Sequence, residues 1–249
     1  MQLTGKTALV TGGTRGIGAA TAVALARDGA DVAIVGRRQD ETASAVREAI
    51  RGLGRRCELI QADCCQAAES ARCVRETETK LGIVDVLVHC AGGPVNGGLF
   101  DLTPEAWQAA FDVHVHAVFH LCRAVIPSMR RKKEGAIVLI SSVAGIRGVI
   151  THVGYQVVKG ALPQFARALA REFANDNIRV NCVAPGIIRT DFHASMSEEQ
   201  KRLNLEQRIP LHREGTAGQV ADAILMLVKN DYLTGETVTV DGGLTMRIA

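Results

Sequence analysis

The stretch Thr7–Gly18, T-A-L-V-T-G-G-T-R-G-I-G, joins an apolar, β-branched run to a glycine-rich turn and the start of a helical pattern. Gly12, Gly16 and Gly18 would let the backbone turn tightly and approach a diphosphate, whose charge the N-terminus of the next helix would meet. Three glycines alone are weak evidence, but between a first strand and a first helix they are typical of a dinucleotide-binding turn. The alternative is an ordinary tight turn between a strand and a helix.

Outward from this turn, short apolar runs alternate with longer segments at helical spacing, such as Ala19–Arg27 and Asp40–Leu53. This alternation, with nearly all-apolar strands, predicts an α/β, doubly wound Rossmann-type fold whose parallel sheet has helices on both faces. The chain shows no repeat or linker, so we expect a single domain, 1–249, with a mobile substrate flap around 191–215. The predicted strands are Thr7–Thr11, Asp31–Val35, Cys57–Ala62, Val84–His89, Ala136–Ser141, Arg179–Val183 and Thr237–Val240.

The composition is that of a soluble globular protein, with 47% hydrophobic and 22% charged residues among 249. A net charge of +3 does not favour nucleic acid as a partner. The chain shows no signal-peptide pattern and no apolar run near the roughly 20 residues that span a bilayer, so we expect a cytoplasmic protein without a membrane partner. Its seven scattered cysteines lack zinc-ligand spacing and are interpreted as reduced thiols.

Three histidines, His114, His116 and His120, fall on one predicted helix. His116 and His120 have the i, i+4 spacing of two metal ligands, but no third ligand is apparent nearby. Solvated or core histidines are the better interpretation, and we predict no metal site.

Arginines follow the second predicted strand, in the order Gly36-Arg37-Arg38. A site for NAD usually carries an acidic residue here, which binds the ribose 2′-hydroxyl. Guanidinium groups match the oxygens of a phosphate, so Arg37, Arg38 and Arg15 of the glycine turn favour NADP and its 2′-phosphate. The alternative is a pair of solvated arginines at a strand end. After the third strand, Asp63 could accept a hydrogen bond from the adenine amino group.

Tyr155 and Lys159 have the i, i+4 spacing that places two side chains on one helix face. A free phenol, with a pKa of about 10, is a poor acid or base at neutral pH. An ammonium one turn away should lower the pKa of Tyr155 toward the working range. Ser142, at the end of an apolar strand, could reach the same volume and bind a substrate oxygen. A tyrosine four residues before a lysine is also common by chance.

Together these residues resemble the short-chain dehydrogenase/reductase family, nearest its 3-oxoacyl-acyl-carrier-protein reductase branch. The likeness covers the whole chain and implies about seven parallel strands, with Tyr155 as acid/base, Ser142 steadying the substrate oxygen and Lys159 holding the nicotinamide ribose. It also implies a homotetramer, for which the apolar helical segments Ala106–Val125 and Leu162–Phe173 would supply surface. The motifs that carry it are Thr11–Gly18, Ala91-Gly92, Ser142, Tyr155 with Lys159, Pro185-Gly186 with Thr190, and Gly242-Gly243.

On this resemblance, small residues after the fourth strand would let a cofactor ring lie against backbone, and the turn after the sixth strand would bind a carboxamide. The predicted cofactor-binding residues are Gly12, Thr14, Arg15, Gly16, Ile17, Gly18, Arg37, Arg38, Asp63, Cys64, Cys90, Ala91, Gly92, Tyr155, Lys159, Pro185, Gly186, Ile188 and Thr190.

Two departures from the family pattern are present. The usual Asn-Asn-Ala-Gly after the fourth strand reads His89-Cys90-Ala91-Gly92, and the asparagine that completes the usual catalytic tetrad aligns with His114. The predicted catalytic residues are therefore Ser142, Tyr155, Lys159 and His114. Of the two basic positions with which the reductase branch docks its carrier protein, one aligns with Lys133 and the other with an acid, Asp176.

The leading function is hydride transfer between NADP(H) and a carbonyl or secondary alcohol, with 3-oxoacyl thioesters, small ketones, sugars, polyols and steroids all open as substrates. A catalytically silent, NADP-binding regulatory protein on the same fold is the alternative. We expect Pro94–Leu99, Ala144–Val153 and Thr190–Arg213 to select the substrate.

Overall fold

The computed structural model describes residues 1–193 and 196–246. Seven strands form one parallel sheet, and two short strands pair separately. The strands are β1 (Thr7–Thr11), β2 (Asp31–Gly36), β3 (Cys57–Gln61), β4 (Val84–His89), β5 (Gly135–Ile140), β6 (Ile178–Pro185), β7 (Ile188–Arg189), β8 (Gly215–Thr216) and β9 (Thr237–Val240).

Helices cover both faces of the sheet, which confirms the predicted doubly wound α/β fold. A π-helical turn, Asp112–His116, joins two of them into one continuous helix. The helices are α1 (Gly16–Arg27), α2 (Glu41–Gly52), α3 (Ala67–Lys80), α4 (Pro104–Phe111), α5 (Ala117–Lys132), α6 (Val153–Glu172), α7 (Glu198–Leu203) and α8 (Ala217–Lys229).

The two faces of the sheet bury two separate apolar clusters, because successive side chains of a strand point to opposite sides. On β1, Ala8 and Val10 belong to the cluster with α1 and α8, whereas Leu9 belongs to the cluster with α3, α5 and α6. The strands β1, β2 and β4–β6 are buried almost throughout, so neither face of the central sheet is left to solvent.

The strand order β3-β2-β1-β4-β5-β6-β9 reverses direction between β1 and β4. In such sheets ligands bind in the crevice outside the carboxyl ends of the strands at this point. Here the crevice lies between the glycine turn after Thr11 and the small residues after His89. The topology therefore puts the predicted cofactor motifs at one edge of the sheet.

The predicted boundaries either match the structure, as for Thr7–Thr11 and Val84–His89, or differ from it by one to three residues. Helix α1 begins at Gly16 rather than Ala19, because the glycine turn itself forms the first helical turn. The predicted irregular flap, 191–215, contains the helix α7, whose start is fixed by a capping box between Ser197 and Gln200. Residues 194 and 195 of the flap lie outside the described residues, and its mobility stays a prediction.

The continuous helix Pro104–Lys132 spans 29 residues and is long and apolar enough, by length and composition, to cross a bilayer. The prediction that no apolar stretch approaches this length is therefore wrong. Leu121, Val125 and Met129 of this helix are fully buried in the protein core. A buried core helix passes the same test, so the finding is weak evidence for a membrane.

Candidate active site

Three positions of the glycine turn, Gly12, Gly13 and Gly18, leave no room for a side chain. A Cβ on Gly12 (φ +63°) would lie 2.7 Å from the backbone N of Ala91, and a Cβ on Gly18 would lie 2.1 Å from the carbonyl O of Gly12. Gly16 (φ +55°) is less crowded, because a Cβ there would make only an ordinary van der Waals contact with the Thr190 methyl, at 3.6 Å. The turn thus packs against the end of β4 and leaves room where a diphosphate would approach.

Arg37, Asp63 and Gln61 line a cavity of about 530 Å³ at the carboxyl ends of β2 and β3, together with Ala62 and Glu69. Its lining carries the guanidinium of Arg37 and the carboxylates of Asp63 and Glu69, of which Glu69 is paired with Arg72. Charge and position suit a phosphate-bearing adenosine, as the sequence predicts.

Arg15 departs from its predicted role as an open phosphate ligand. Its Nη2 lies 2.5 Å from Oδ2 of Asp40, in an ion pair at the protein surface. Asp40 also begins α2, accepting a hydrogen bond from the backbone N–H of Ala43 at 3.0 Å. An acidic residue just before a predicted helix is the sequence signal that could have predicted the capping role of Asp40.

The side chains of two predicted cofactor residues do not face the crevice. Cys64 and Ile188 are buried, at 7% and 3% exposure, and both pack in the apolar core. Neither side chain is therefore available to a cofactor. The sequence pattern gives a residue's place along a turn, but not which way its side chain rotates.

Ser142, Tyr155 and Lys159 meet at the carboxyl ends of β4 and β5. Tyr155 and Lys159 lie on the first two turns of α6, as predicted, and Nζ of Lys159 is 5.7 Å from the centre of the Tyr155 ring. The buried Lys159 ammonium donates a hydrogen bond to the carbonyl O of Ile140, at 2.7 Å. Ser142 is also buried, and its hydroxyl interacts with the phenol.

Burial dominates the titration of this pair. It raises the pKa of Tyr155, with the Ser142 hydroxyl acting in the opposite direction. It also lowers the pKa of Lys159 to about 8, partly offset by the thiols of Cys90 and Cys182. The prediction that Lys159 lowers the pKa of Tyr155 is wrong for this structure, because the ammonium is directed at the Ile140 carbonyl and not at the phenol oxygen.

His114 lies in the π-helical turn and is buried at 1% exposure. Its ring meets the Tyr155 ring edge-on, with centroids 5.9 Å apart, and Nε2 is 3.0 Å from the carbonyl O of Gly93. Nδ1 is buried without a hydrogen-bond partner. Burial, followed by the charge of Lys159, lowers the pKa of His114 to about 2, so the imidazole is neutral at physiological pH. The structure therefore brings His114 into the site.

His89, whose role the sequence did not reveal, fixes the π-helical turn Asp112–His116 that carries His114. Its Nδ1 is 2.9 Å from the Thr11 hydroxyl and its Nε2 is 3.2 Å from the carbonyl O of Val113. Burial lowers the pKa of His89 to about 4, with Lys159 acting in the same direction. His116 instead pairs with Asp112 at 2.8 Å. Over residues 1–193 and 196–246, no three His, Cys, Asp or Glu side chains form a group that could hold a metal ion.

Comparison with known proteins gives the family. A family model described as enoyl-(acyl carrier protein) reductase matches residues 12–245. The chain is 35% identical over 244 residues to the 3-oxoacyl-[acyl-carrier-protein] reductase FabG of Chlamydia muridarum, covering 97% of this chain and 98% of the relative. The chain belongs to the short-chain dehydrogenase/reductase family.

Other proteins are similar to this chain over nearly their whole length. Nodulation protein G of a Rhizobium species is 36% identical, with 98% of this chain and 99% of the relative covered. A short-chain type dehydrogenase/reductase from Mycobacterium ulcerans superposes with a TM-score of 0.93 at 31% identity, covering 99% of this chain and 92% of that one. A blue fluorescent protein from a metagenomic library, solved in complex with NADPH, superposes with a TM-score of 0.91 at 34% identity, covering 98% of this chain and 100% of that one.

As a short-chain dehydrogenase/reductase, this chain is an oxidoreductase that uses a nicotinamide cofactor.

Asp176 lies at one of the two positions with which the reductase branch docks its carrier protein, and its carboxylate is engaged by neighbouring cations. Asp176 accepts a hydrogen bond from Nε of Arg130 at 2.7 Å and pairs with the ammonium of Lys133, the other docking position. The Asp176 carboxylate therefore offsets part of the positive charge that Arg130 and Lys133 place at this surface.

Proposed function

We propose that the protein transfers a hydride between NADP(H) and a carbonyl or secondary alcohol substrate. The observation that carries the proposal is the meeting of Ser142, Tyr155 and Lys159 beside the crevice at the β1–β4 switch point. Nicotinamide, when bound, supplies or accepts the hydride.

The residues present fit such a cofactor. The uncrowded backbone at Gly16 and the N–H groups at the start of α1 suit a diphosphate, and Arg37 and Asp63, which both line the 530 Å³ cavity, suit a phosphorylated adenosine. Thr190, beside Gly16, would hold the nicotinamide half of the cofactor. The second cation near the 2′-phosphate would be Arg38 rather than Arg15, which is engaged by Asp40.

Tyr155 has the right protonation state to act as the acid in reduction. Because burial raises its pKa, the phenol keeps its proton at neutral pH and can donate it to the developing alkoxide. Ser142 would hydrogen-bond the same oxygen, and Lys159 would add positive charge behind the ring. His114, neutral and beside Tyr155, would stand where the family places its relay asparagine.

For the substrate, we propose a carbonyl compound that is not delivered by docking on a carrier protein, such as a small ketone or a free 3-oxoacyl thioester. The ion pairs of Asp176 with Lys133 and Arg130 support this restriction, because they place a negative charge at a docking position that is basic in the carrier-dependent branch and engage the cation of the other. A homotetrameric, cytoplasmic enzyme without nucleic-acid or membrane partners remains part of the proposal.

Cofactor binding tests the proposal without a known substrate. We expect NADPH to bind at least about tenfold more tightly than NADH, since Arg37 would lose its phosphate partner with NADH. Arg37→Asp should erase or reverse this preference, whereas Arg171→Asp, at the exposed end of α6, should retain it. Equal dissociation constants for the two cofactors in the unaltered protein would refute NADP specificity.

Turnover separates the enzyme from the silent regulatory protein. NADPH absorbance decay with a panel of ketones and 3-oxoacyl thioesters should show reduction of at least one class. NADPH binding without turnover of any member of the panel would favour the regulatory alternative.

A further inference from the structure

The turn between Ser142 and Tyr155 is held in an unfavourable backbone conformation. Thr151 has a φ of +61°, in the left-handed region that β-branched residues avoid. Such strain persists only where neighbouring groups fix the backbone. The groups that fix this turn are therefore part of how the site is built.

Gln156, the residue after Tyr155, holds the turn from the helix side. Its Oε1 accepts a hydrogen bond from the backbone N–H of Val149 at 2.8 Å. Its Nε2 donates to the carbonyl O of Val149 at 2.6 Å and to that of His152 at 3.1 Å. One side-chain amide thus satisfies both backbone groups of Val149 and ties the far end of the turn to α6.

Gly97 holds the same turn from the other side. Its N–H donates to the carbonyl O of Thr151 at 3.0 Å, and its carbonyl O accepts from the N–H of Val153 at 3.3 Å. The strained residue is therefore fixed between the loop that follows β4 and the side chain of Gln156. Both of these contacts lie within segments that we expect to select the substrate.

The turn exposes apolar side chains. Val149 and Ile150, which lie between Ser142 and Tyr155 in the chain, are 45% and 84% exposed. The ring of Phe192, 5.9 Å from that of Tyr155, adds an apolar group beside the phenol. An apolar group on the substrate would remove these side chains from water, which favours binding.

We propose that Gln156 is a positioning residue that holds the Val149–His152 turn in place, and so sets the affinity of the site for carbonyl substrates with a bulky apolar substituent. The proposal rests on the proposed carbonyl reductase function. Gln156 touches neither substrate nor cofactor. It acts through the turn, so its loss should weaken substrate binding more than it slows the chemical step.

Gln156→Met tests this, because methionine is similar in length and helix propensity but cannot make the three hydrogen bonds. With a ketone carrying a long alkyl or aryl group, KM should rise by about tenfold or more, while kcat changes by less than about threefold and the NADPH dissociation constant stays unchanged. Gln164→Met, an exposed position on the same helix, is the control and should behave as the unaltered protein. Adding Thr151→Asn to Gln156→Met should lower KM part of the way back to that of the unaltered protein, because asparagine tolerates the left-handed conformation.

Hydrogen exchange gives a readout that needs no substrate. Amides of the Val149–Val153 segment should exchange faster in Gln156→Met than in Gln164→Met. Equal exchange, or an unchanged KM for the bulky ketone, would overturn the proposal. If the unaltered protein reduces no carbonyl compound, the proposed function and the substrate role of Gln156 both fail, and faster exchange would then assign Gln156 to holding the turn alone.

Discussion

Tyr155 and Lys159 share a buried volume in which the ionised form of either side chain is disfavoured. For the phenol this raises the pKa, and for the ammonium it lowers the pKa to about 8. A protonated phenol beside a lysine that is charged below about pH 8 suits proton donation, and therefore the reductive direction. In the oxidative direction the phenol must lose its proton, so oxidation should be favoured by alkaline pH.

Tyr155→Phe removes the proton donor and keeps the ring. We expect kcat for ketone reduction to fall by about 10²- to 10⁴-fold with the NADPH dissociation constant unchanged, because the phenol acts on the substrate. Lys159→Ala should reduce both kcat and cofactor affinity, and Ser142→Ala should reduce kcat alone. Steady-state kinetics and fluorescence titration separate these effects. Near-normal turnover by Tyr155→Phe on a confirmed substrate would contradict the mechanism.

His114→Asn restores the amide that the family usually carries at this position. If the neutral imidazole serves the same hydrogen-bonding role, His114→Asn should retain much of the ketone reduction rate, whereas His114→Ala should slow it severalfold. His116→Asn, two residues from His114 and partly exposed, is the control and should have no effect. Equal rates for the Ala and Asn variants at position 114 would remove His114 from the mechanism.

Residue types and spacing were enough to predict the Tyr155–Lys159 pair and the glycine turn, because both depend on local geometry. The roles of Gln156 and His89 could not be predicted in this way. Each acts through hydrogen bonds to backbone groups whose positions depend on the folded chain, Val149 in one case and Val113 in the other. The direction of the Tyr155 pKa shift depends on burial, which spacing does not specify.

Among the elements, the short 3₁₀ turn Val143–Gly145 that carries Ser142 packs directly on α6. A Cβ on Gly145 would lie 2.6 Å from the carbonyl C of Lys159. Helix backbone cannot move aside as a flexible side chain can. Ser142 and Lys159 therefore owe their relative positions in part to the absence of a side chain at residue 145.

Gly145→Ala should separate the turn from α6. Overpacking of this kind typically costs about 1–3 kcal/mol of stability, and the displacement of Ser142 should lower kcat as well. Gly148→Ala is the matched control in the same loop, since a Cβ there meets nothing within 4 Å. Thermal unfolding and kinetics of the two variants should differ clearly. Equal melting temperatures would show that the contact yields without cost.

Element types were predicted better than element ends. The apolar runs gave all seven strands of the main sheet, because a central parallel strand is apolar along its whole length. The π-helical turn at Asp112–His116 was not predictable, since one extra residue in a helical turn leaves the apolar pattern almost intact. It nevertheless decides where His114 points, and π-turns often occur at functional sites.

For the whole molecule, the apolar surface expected to support a tetramer is smaller than predicted. Within Ala106–Val125 only Phe119 is an exposed large apolar side chain, and Leu162–Phe173 exposes none, both stretches being fully described. The sheet and neighbouring helices cover the rest. Assembly as a homotetramer stays a prediction that rests on the family resemblance.

Acid should destabilise the whole protein through its two buried neutral histidines. The folded-state pKa is lowered to about 4 for His89 and about 2 for His114, against about 6.5 for an unfolded histidine. As pH falls below about 6.5, the unfolded chain binds protons that the folded protein does not. Stability is therefore lost progressively from about pH 6.5 down to about pH 4 for His89, and further for His114.

Between pH 7 and pH 5, each buried histidine should reduce the free energy of unfolding by about 2 kcal/mol, the value that these pKa differences give. Urea unfolding at the two pH values should show the loss. His114→Asn should be less sensitive to acid than the unaltered protein by about this amount, because asparagine does not titrate. His212→Asn, at a solvent-exposed position, should keep the full sensitivity. If His114→Asn loses as much stability between pH 7 and pH 5 as the unaltered protein, then His114 is not buried as a neutral imidazole, and its place beside Tyr155 is wrong.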